Sequence, residues 1–112
     1  RIGEVAKLFA EAGILVITAF ISPYKQDRDR IRTIAGDVFH EVFIEADLSI
    51  CENRDPKGLY IKARKGEISD FTGISAPYEQ PTSPELIIDT GNQDIGESTT
   101  KLLSYIDEKF RI

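Results

Sequence analysis

The apolar segment ILVITAFI, residues 14–21, constrains the fold more than any other part of the chain. Only Thr18 interrupts it, and such a continuous run is typical of a strand that is buried on both faces of a parallel sheet. The run is too short to cross a bilayer, which takes about 20 apolar residues. Because parallel strands are joined by crossover connections that usually contain a helix, we expect helices on both sides of this strand.

Helices and strands alternate along the rest of the sequence. The spacing of apolar residues predicts helices over residues 1–12, 26–35 and 94–110, and shorter helical segments at 47–53 and 58–65. Further strands are predicted at 38–46 and 86–90, and three prolines without a clear period predict a structured loop over 67–84. At 112 residues the chain suits a single domain, and this order predicts an α/β fold of three layers with a parallel sheet.

Positive charge is concentrated in one short segment, from residue 54 to residue 65. Five cations stand there against one acid, Asp55: Arg54, Lys57, Lys62, Arg64 and Lys65. The segment carries +4 in a chain of net charge -5, so the remainder carries -9. This asymmetry indicates local recognition of an anion and argues against broad binding to nucleic acid or to a membrane surface.

The chain has one cysteine, Cys51, and one histidine, His40. A single cysteine cannot form an internal disulfide, which fits a reducing, cytoplasmic location. One histidine and one cysteine do not make a cluster of metal ligands. We interpret both side chains as structural.

Four stretches taken in order resemble the adenylylsulfate kinases: RIGEVAKLF, FISPY, CENRDPKGLYIKARKGEISDFTGI and PYEQPTSPE. The resemblance covers nearly the whole chain and implies a P-loop NTPase-like fold of three layers. It implies transfer of the γ-phosphoryl of MgATP to the 3'-hydroxyl of adenylyl sulfate, which gives 3'-phosphoadenylyl sulfate (PAPS) in sulfate assimilation. It leaves open a homodimer and a fusion to, or association with, an ATP sulfurylase.

The Walker A loop G-x-x-x-x-G-K-[ST], which cradles phosphate in such kinases, does not occur in these 112 residues. The resemblance places that loop, the first strands and the Mg²⁺ ligands before Arg1. We therefore expect the chain to be part of a longer polypeptide and to be inactive alone. In the family's sheet, the P-loop strand lies between the segments 14–21 and 38–46. Without that strand, these two segments would have no partner between them.

Two other functions remain open from the sequence. A non-catalytic kinase-like domain could bind nucleotide or regulate an ATP sulfurylase, and the state of the Walker A loop would discriminate it from a kinase. A different small-molecule P-loop kinase would explain the order of elements but not the segment KARKGEISDFTGI.

The I-S-P motif holds the implied catalytic residue. By resemblance, Ile21 and Ser22 contact adenylyl sulfate, and Ser22 has also been interpreted in this family as a phosphorylated intermediate. No histidine or obvious base is near Ser22 in sequence, so the chemistry favours the contact role. From the residues alone, a Ser-Pro turn that ends a strand is the alternative.

Further implied contacts lie in a lid over about residues 54–80. Lys57, Asp70 and Phe71 are implied contacts of adenylyl sulfate, with the Phe71 ring stacked on its adenine. From the residues alone, Phe71 could equally pin the loop to the core. Asp70 stands where IKGFTGID of the family has glycine, and a carboxylate that points inward should weaken the binding of a sulfated nucleotide.

The resemblance implies ATP contacts from Arg54, over the adenine or near the phosphates, and from Gln93 beside the base, through its backbone. A planar guanidinium suits either position of Arg54. The remaining cations, Lys62, Arg64 and Lys65, are interpreted as a solvated helix face.

Overall fold

The computed structural model describes residues 1–110. Its elements in chain order are α1 (Ile2–Glu11), α2 (Lys25–Ala35), β1 (Val42–Glu45), α3 (Leu48–Arg54), α4 (Leu59–Arg64), β2 (Leu86–Asp89) and α5 (Ile95–Lys109). All five predicted helices are confirmed, each end within two residues of the predicted one. None of the helices in residues 1–110 combines the length and the apolarity that a bilayer span requires.

The strands β1 and β2 pair in parallel, as the sequence predicted. The register runs from Val42 opposite Leu86 to Glu45 opposite Asp89. Both strands are shorter than the predicted segments 38–46 and 86–90. Ile88 in the centre of β2 is only 2% exposed, and α5 packs beside this strand. The α/β architecture therefore rests on a narrow, two-stranded sheet.

The strand predicted at residues 14–21 is wrong for this structure. Within residues 1–110 no strand pairs with this segment, and Ile17, Phe20 and Ile21 are 69%, 62% and 68% exposed. A strand exists only where a neighbouring backbone supplies its hydrogen bonds, and the one sheet in the described residues consists of β1 and β2. The sequence had also predicted that 14–21 would lack a partner next to 38–46, and this agrees with the structure.

Few apolar side chains are buried in the described part of the chain, where the buried ones are Ala63 and Ile88. Helix α1 packs on α2 through Gly3, at which a Cβ atom would lie 3.1 Å from Ile31 Cγ1. On α5, Ile95 is 86% exposed. Exposed apolar area of this extent is typical of a surface that contacts other chain segments.

Candidate functional site

The acceptor loop, residues 21–24, follows the apolar run and begins with an exposed Ile21. Ser22 has φ 45°, in the left-handed region that non-glycine residues disfavour. Its carbonyl oxygen accepts a hydrogen bond from Arg28 Nη1, and the Pro23 carbonyl accepts one from the Glu79 amide at 2.8 Å. Among the described residues no side chain hydrogen-bonds to Ser22 Oγ, so the hydroxyl has no base beside it.

Arg28 was missed by sequence reasoning. The structure buries it at 7% exposure, with Nε 3.2 Å from Glu41 Oε2 in an ion pair that is not aligned as a hydrogen bond. The guanidinium also lies 5.8 Å from the centre of the Tyr78 ring. A signal was present, because Arg28 precedes Ile31 and Ala35 by three and seven residues and so shares their helix face.

A tight turn between α3 and α4 presents Lys57. The Asp55 carboxylate accepts hydrogen bonds from the amides of Tyr60 at 3.0 Å and Ile61 at 3.2 Å, which satisfies the first turn of α4. Gly58 has φ 67° and donates its amide to the Asp55 carbonyl at 3.1 Å. Lys57 is exposed on this rigid turn, and no carboxylate of the described residues forms an ion pair with it.

Arg54 reaches from the end of α3 to the carboxyl end of β2. Its guanidinium donates to the Thr90 carbonyl and, at 3.2 Å, to Thr90 Oγ1, which itself donates to the Glu45 carbonyl at 2.9 Å. Gln93 follows in the next turn, and its backbone amide donates to the Asp89 carbonyl at 3.1 Å. The structure thus brings the two predicted ATP contacts together at the carboxyl edge of the parallel strands, where open α/β sheets bind ligands.

The other cations of the segment lie at the surface, in agreement with a solvated helix face. Lys62, Arg64 and Lys65 are all exposed. Arg64 pairs with Glu52, with Nε 2.6 Å from Oε1. This hydrogen bond lowers the pKa of the Glu52 carboxyl and raises the pKa of Arg64.

Phe71 packs edge-on against Tyr60, with ring centres 4.9 Å apart and an angle of 77° between the planes. Its amide donates to Ser75 Oγ at 2.8 Å, and its carbonyl accepts from three amides of the following turn. The ring is half-buried, so it both pins the lid to α4 and keeps part of its surface open.

Asp70, next to this ring, has φ 52° and is exposed. The left-handed conformation explains why a glycine suits this position, since glycine adopts it without steric cost. Aspartate is among the few other residues that tolerate it.

The predicted site residues fall into three groups. Ile21 and Ser22 lie on the acceptor loop. Lys57 lies on the turn before α4, and Asp70 and Phe71 lie after that helix, with Phe71 packed on it. Gln93 follows β2, and the Arg54 side chain reaches the same end of the strand from α3. Glu79, at the end of the lid, joins the lid to the first group through its bond to Pro23. In the part of the chain that the structure describes, no hydrogen bond joins Ser22 to Lys57 or Phe71.

His40 and Cys51 lie outside these groups. His40 Nδ1 is 2.5 Å from the Tyr105 hydroxyl, and its ring packs on Phe110 at 4.5 Å, as a structural residue would. Cys51 is a half-buried free thiol. Across residues 1–110, no group of three or more His, Cys, Asp or Glu side chains is arranged to hold a metal ion.

Comparison with known proteins identifies the family. The adenylylsulphate kinase model matches residues 1–89. An adenylyl-sulfate kinase of Bacillus pumilus is 60% identical over 111 residues, which cover 97% of this chain and 56% of that protein. One from Oceanobacillus iheyensis is 56% identical over 97% of this chain and 55% of its own length. The chain therefore spans about half the length of the curated relatives it matches.

Solved structures give the same result. The structure of the Mycobacterium tuberculosis APS kinase in complex with AMPPNP and APS has a TM-score of 0.85 and 41% identity. The match covers 96% of this chain and 63% of that one. The predicted α/β fold with a parallel sheet, of the P-loop NTPase type, is thereby confirmed.

Proposed function

The chain belongs to the adenylylsulphate kinase family, and on that premise we propose that the full-length protein makes PAPS from ATP and adenylyl sulfate. The 3'-oxygen of adenylyl sulfate forms a bond to the γ-phosphorus, the bond from that phosphorus to the β-γ bridging oxygen breaks, and ADP and the hydroxyl proton leave. One observation carries the proposal for these residues. Phe71 packs on Tyr60 of α4, and the turn that presents Lys57 is joined to the start of α4 through Asp55. A cation and an aromatic ring suited to a sulfated nucleotide are therefore anchored to the same helix.

The adenylyl sulfate site is proposed to include Ile21, Ser22, Lys57, Asp70 and Phe71. Lys57 offers a charge that no carboxylate of residues 1–110 pairs with, and Phe71 offers a ring face to the adenine. Ser22 is proposed to contact the substrate near the reacting hydroxyl. Phosphoryl transfer depends on positioning and charge stabilisation. Among the described residues no base hydrogen-bonds to Ser22 Oγ, so nothing there supports a covalent step.

The ATP site is proposed to include Arg54 and Gln93. Gln93 Oε1 is buried with no hydrogen-bond partner in residues 1–110, and Arg54 holds the adjoining turn through Thr90. Both observations fit a nucleotide at this edge. Mg²⁺ would accompany ATP and neutralise phosphate charge. We propose that its ligands and the Walker A loop come from residues outside these 112, and the partial coverage of the relatives supports this.

The lid is proposed to close over the site within a single domain that these 112 residues only partly represent. Closure excludes water and holds the 3'-hydroxyl in line with the γ-phosphoryl. The single free cysteine supports a cytoplasmic location for the protein. A homodimer and an association with ATP sulfurylase stay predictions, since none of the described residues specifies an interface.

The test is direct measurement of PAPS and ADP formed by the full-length protein from adenylyl sulfate and ATP, with its intact mass determined first. We expect equal amounts of both products. Lys57→Ala should raise the KM for adenylyl sulfate about 10- to 150-fold, since a hydrogen bond to a charged group contributes about 1.5–3 kcal/mol. Lys62→Ala is the matched control, because it removes an exposed cation from α4 and should leave both KM values unchanged.

Two results would count against the proposal. A protein that binds nucleotide but forms no PAPS would support the alternative of a non-catalytic domain associated with ATP sulfurylase, which a degenerate Walker A loop outside these residues would also favour. Equal effects of Lys57→Ala and Lys62→Ala would remove Lys57 from the site.

A further inference from the structure

Arg28 is the only charged side chain that is buried in residues 1–110. Its guanidinium contacts three separate parts of the chain. Nη1 donates to the Ser22 carbonyl, Nη2 donates to the Glu79 carbonyl, and Nε faces the Glu41 carboxylate at 3.2 Å. Ser22 belongs to the acceptor loop and Glu79 to the end of the lid, so one side chain links the two.

The acceptor loop needs such support because of its backbone. Ser22 has φ 45°, a conformation that persists only where the surrounding structure holds it. The carbonyl of this same residue is the one that Arg28 binds. The nearby Pro23 carbonyl accepts from the Glu79 amide, so the loop and the end of the lid hold each other.

The end of the lid is fixed at the same point. The Glu79 carboxylate accepts from the Lys25 amide at 2.8 Å, in the first turn of α2. The Tyr78 ring covers the Arg28 guanidinium and lies 6.3 Å from the Phe43 ring of β1, nearly parallel to it. The lid therefore ends on a set of contacts that meet at Arg28.

We infer that Arg28 is a positioning residue for adenylyl sulfate. This inference rests on the proposed function above. It holds Ile21 and Ser22 in the conformation that meets the substrate and fixes the end of the lid against them. It acts through these residues and touches neither substrate. Removal of its hydrogen bonds lets the acceptor loop leave the left-handed conformation, so binding of adenylyl sulfate weakens while binding of ATP does not.

Only an arginine satisfies this geometry. Its planar fork directs Nη1 and Nη2 to two different carbonyl groups while Nε faces a carboxylate. A lysine keeps the charge but supplies a single ammonium, so at least one of the two carbonyls loses its partner inside the protein. Arg28→Lys is therefore a change of geometry at constant charge.

The experiment compares Arg28→Lys with Arg32→Lys in the full-length enzyme. Arg32 lies one turn further along α2 and pairs with Glu85 at 2.8 Å and Glu41 at 3.4 Å. Among the described residues, no hydrogen bond or ion pair joins it to the acceptor loop. We expect Arg28→Lys to raise the KM for adenylyl sulfate at least tenfold while the KM for ATP changes less than twofold. Arg32→Lys should leave both within twofold.

A second measurement separates positioning from general stability. Ethylguanidinium added to Arg28→Ala should lower the raised KM for adenylyl sulfate, which a defect of folding alone would not allow. If Arg28→Lys and Arg28→Ala do not fold, the Glu41→Gln variant tests the role of Arg28 instead. It removes the charge that faces Nε, and a KM rise of threefold or more for adenylyl sulfate alone supports the inference.

The opposing outcomes are distinct. Three results would overturn the role of Arg28: equal rises of both KM values in Arg28→Lys, no rise of either, or the same effect in Arg32→Lys. The proposed function would still stand as long as the wild-type enzyme is active. A rise of the KM for ATP alone would overturn the role of Arg28 as well. If the Arg28 variants do not fold, the absence of a selective rise of the KM for adenylyl sulfate in Glu41→Gln would also overturn it. A folded wild-type protein that forms no PAPS would refute the proposed function, and the inference with it.

Discussion

Substitution of Phe71 by alanine in the full-length enzyme removes two contacts at once. One is the edge-on contact with Tyr60 at 4.9 Å, and the other is the proposed stack on the adenine of adenylyl sulfate. An aromatic pair contributes about 0.5–1.5 kcal/mol, and a base stacked on an aromatic side chain about 1–3 kcal/mol. Because 1.36 kcal/mol is a factor of ten, loss of the stack should raise the KM for adenylyl sulfate about 5- to 150-fold.

The assay is steady-state ADP release with one substrate varied and the other saturating. The KM for ATP should stay unchanged in Phe71→Ala, because the stack involves only the acceptor nucleotide. Tyr60→Leu is the matched control, since it removes the edge contact and leaves the Phe71 ring in place. Phe71→Tyr, which keeps a ring, should retain the wild-type KM.

Two results would refute this reasoning. Equal rises in both KM values would mean that the substitution disturbs the whole lid. A Tyr60→Leu variant with the full effect of Phe71→Ala would mean that the ring serves only to pin the lid to α4.

Two further predictions concern charge. Asp70→Gly relieves the left-handed backbone and removes a carboxylate, so the unfolding free energy should rise by up to about 1 kcal/mol and the KM for adenylyl sulfate should fall severalfold. Asp70→Asn should reproduce only the second effect, and an unchanged KM in both variants would place the carboxylate away from the substrate. The hydrogen bond from Arg32 lowers the pKa of Glu85 in the folded state below its usual 4.5. This pair therefore stabilises the fold above that value, and its contribution is lost as the pH falls through the lowered pKa. Arg32→Gln should reduce the loss of unfolding free energy, measured in urea, as the pH falls below 4.5. An unchanged dependence on pH would contradict this.

The helices could be predicted because their signals are local. The clearest case is α5, where Asp94 accepts from the Glu97 amide at 2.7 Å and the Glu97 carboxylate accepts from the Asp94 amide. This capping box is visible in the sequence as an aspartate followed three residues later by a glutamate. The parallel strands were also predicted, because their apolar runs alternate with helices.

Residues 14–21 show where such prediction fails. Their apolar pattern reports a preference for burial between helices, whereas the strand itself depends on hydrogen bonds from a neighbouring strand. In residues 1–110 that neighbour is not present beside them. A local pattern cannot supply a partner that is distant in sequence, so the strand state could not follow from the pattern alone.

The candidate site shows the same limit. The resemblance placed Lys57 and Phe71, and the structure explains how Asp55 and Tyr60 hold them. Arg28 was not singled out from the sequence, because most arginines in proteins are exposed. Its burial depends on the carbonyl of Glu79, 51 residues further along the chain, which no local pattern reveals.

The parallel pairing of β1 with β2 has a consequence for how the chain folds. Val42 meets Leu86, and the intervening chain contains α3, α4 and the whole lid. The sheet therefore forms only after a long loop has closed, which slows folding, whereas the contact between Gly3 of α1 and Ile31 of α2 closes a shorter loop. The entropy of loop closure grows slowly with length, by about 0.6 kcal/mol for each doubling. The lid can therefore gain or lose several residues with little effect on the stability of the sheet.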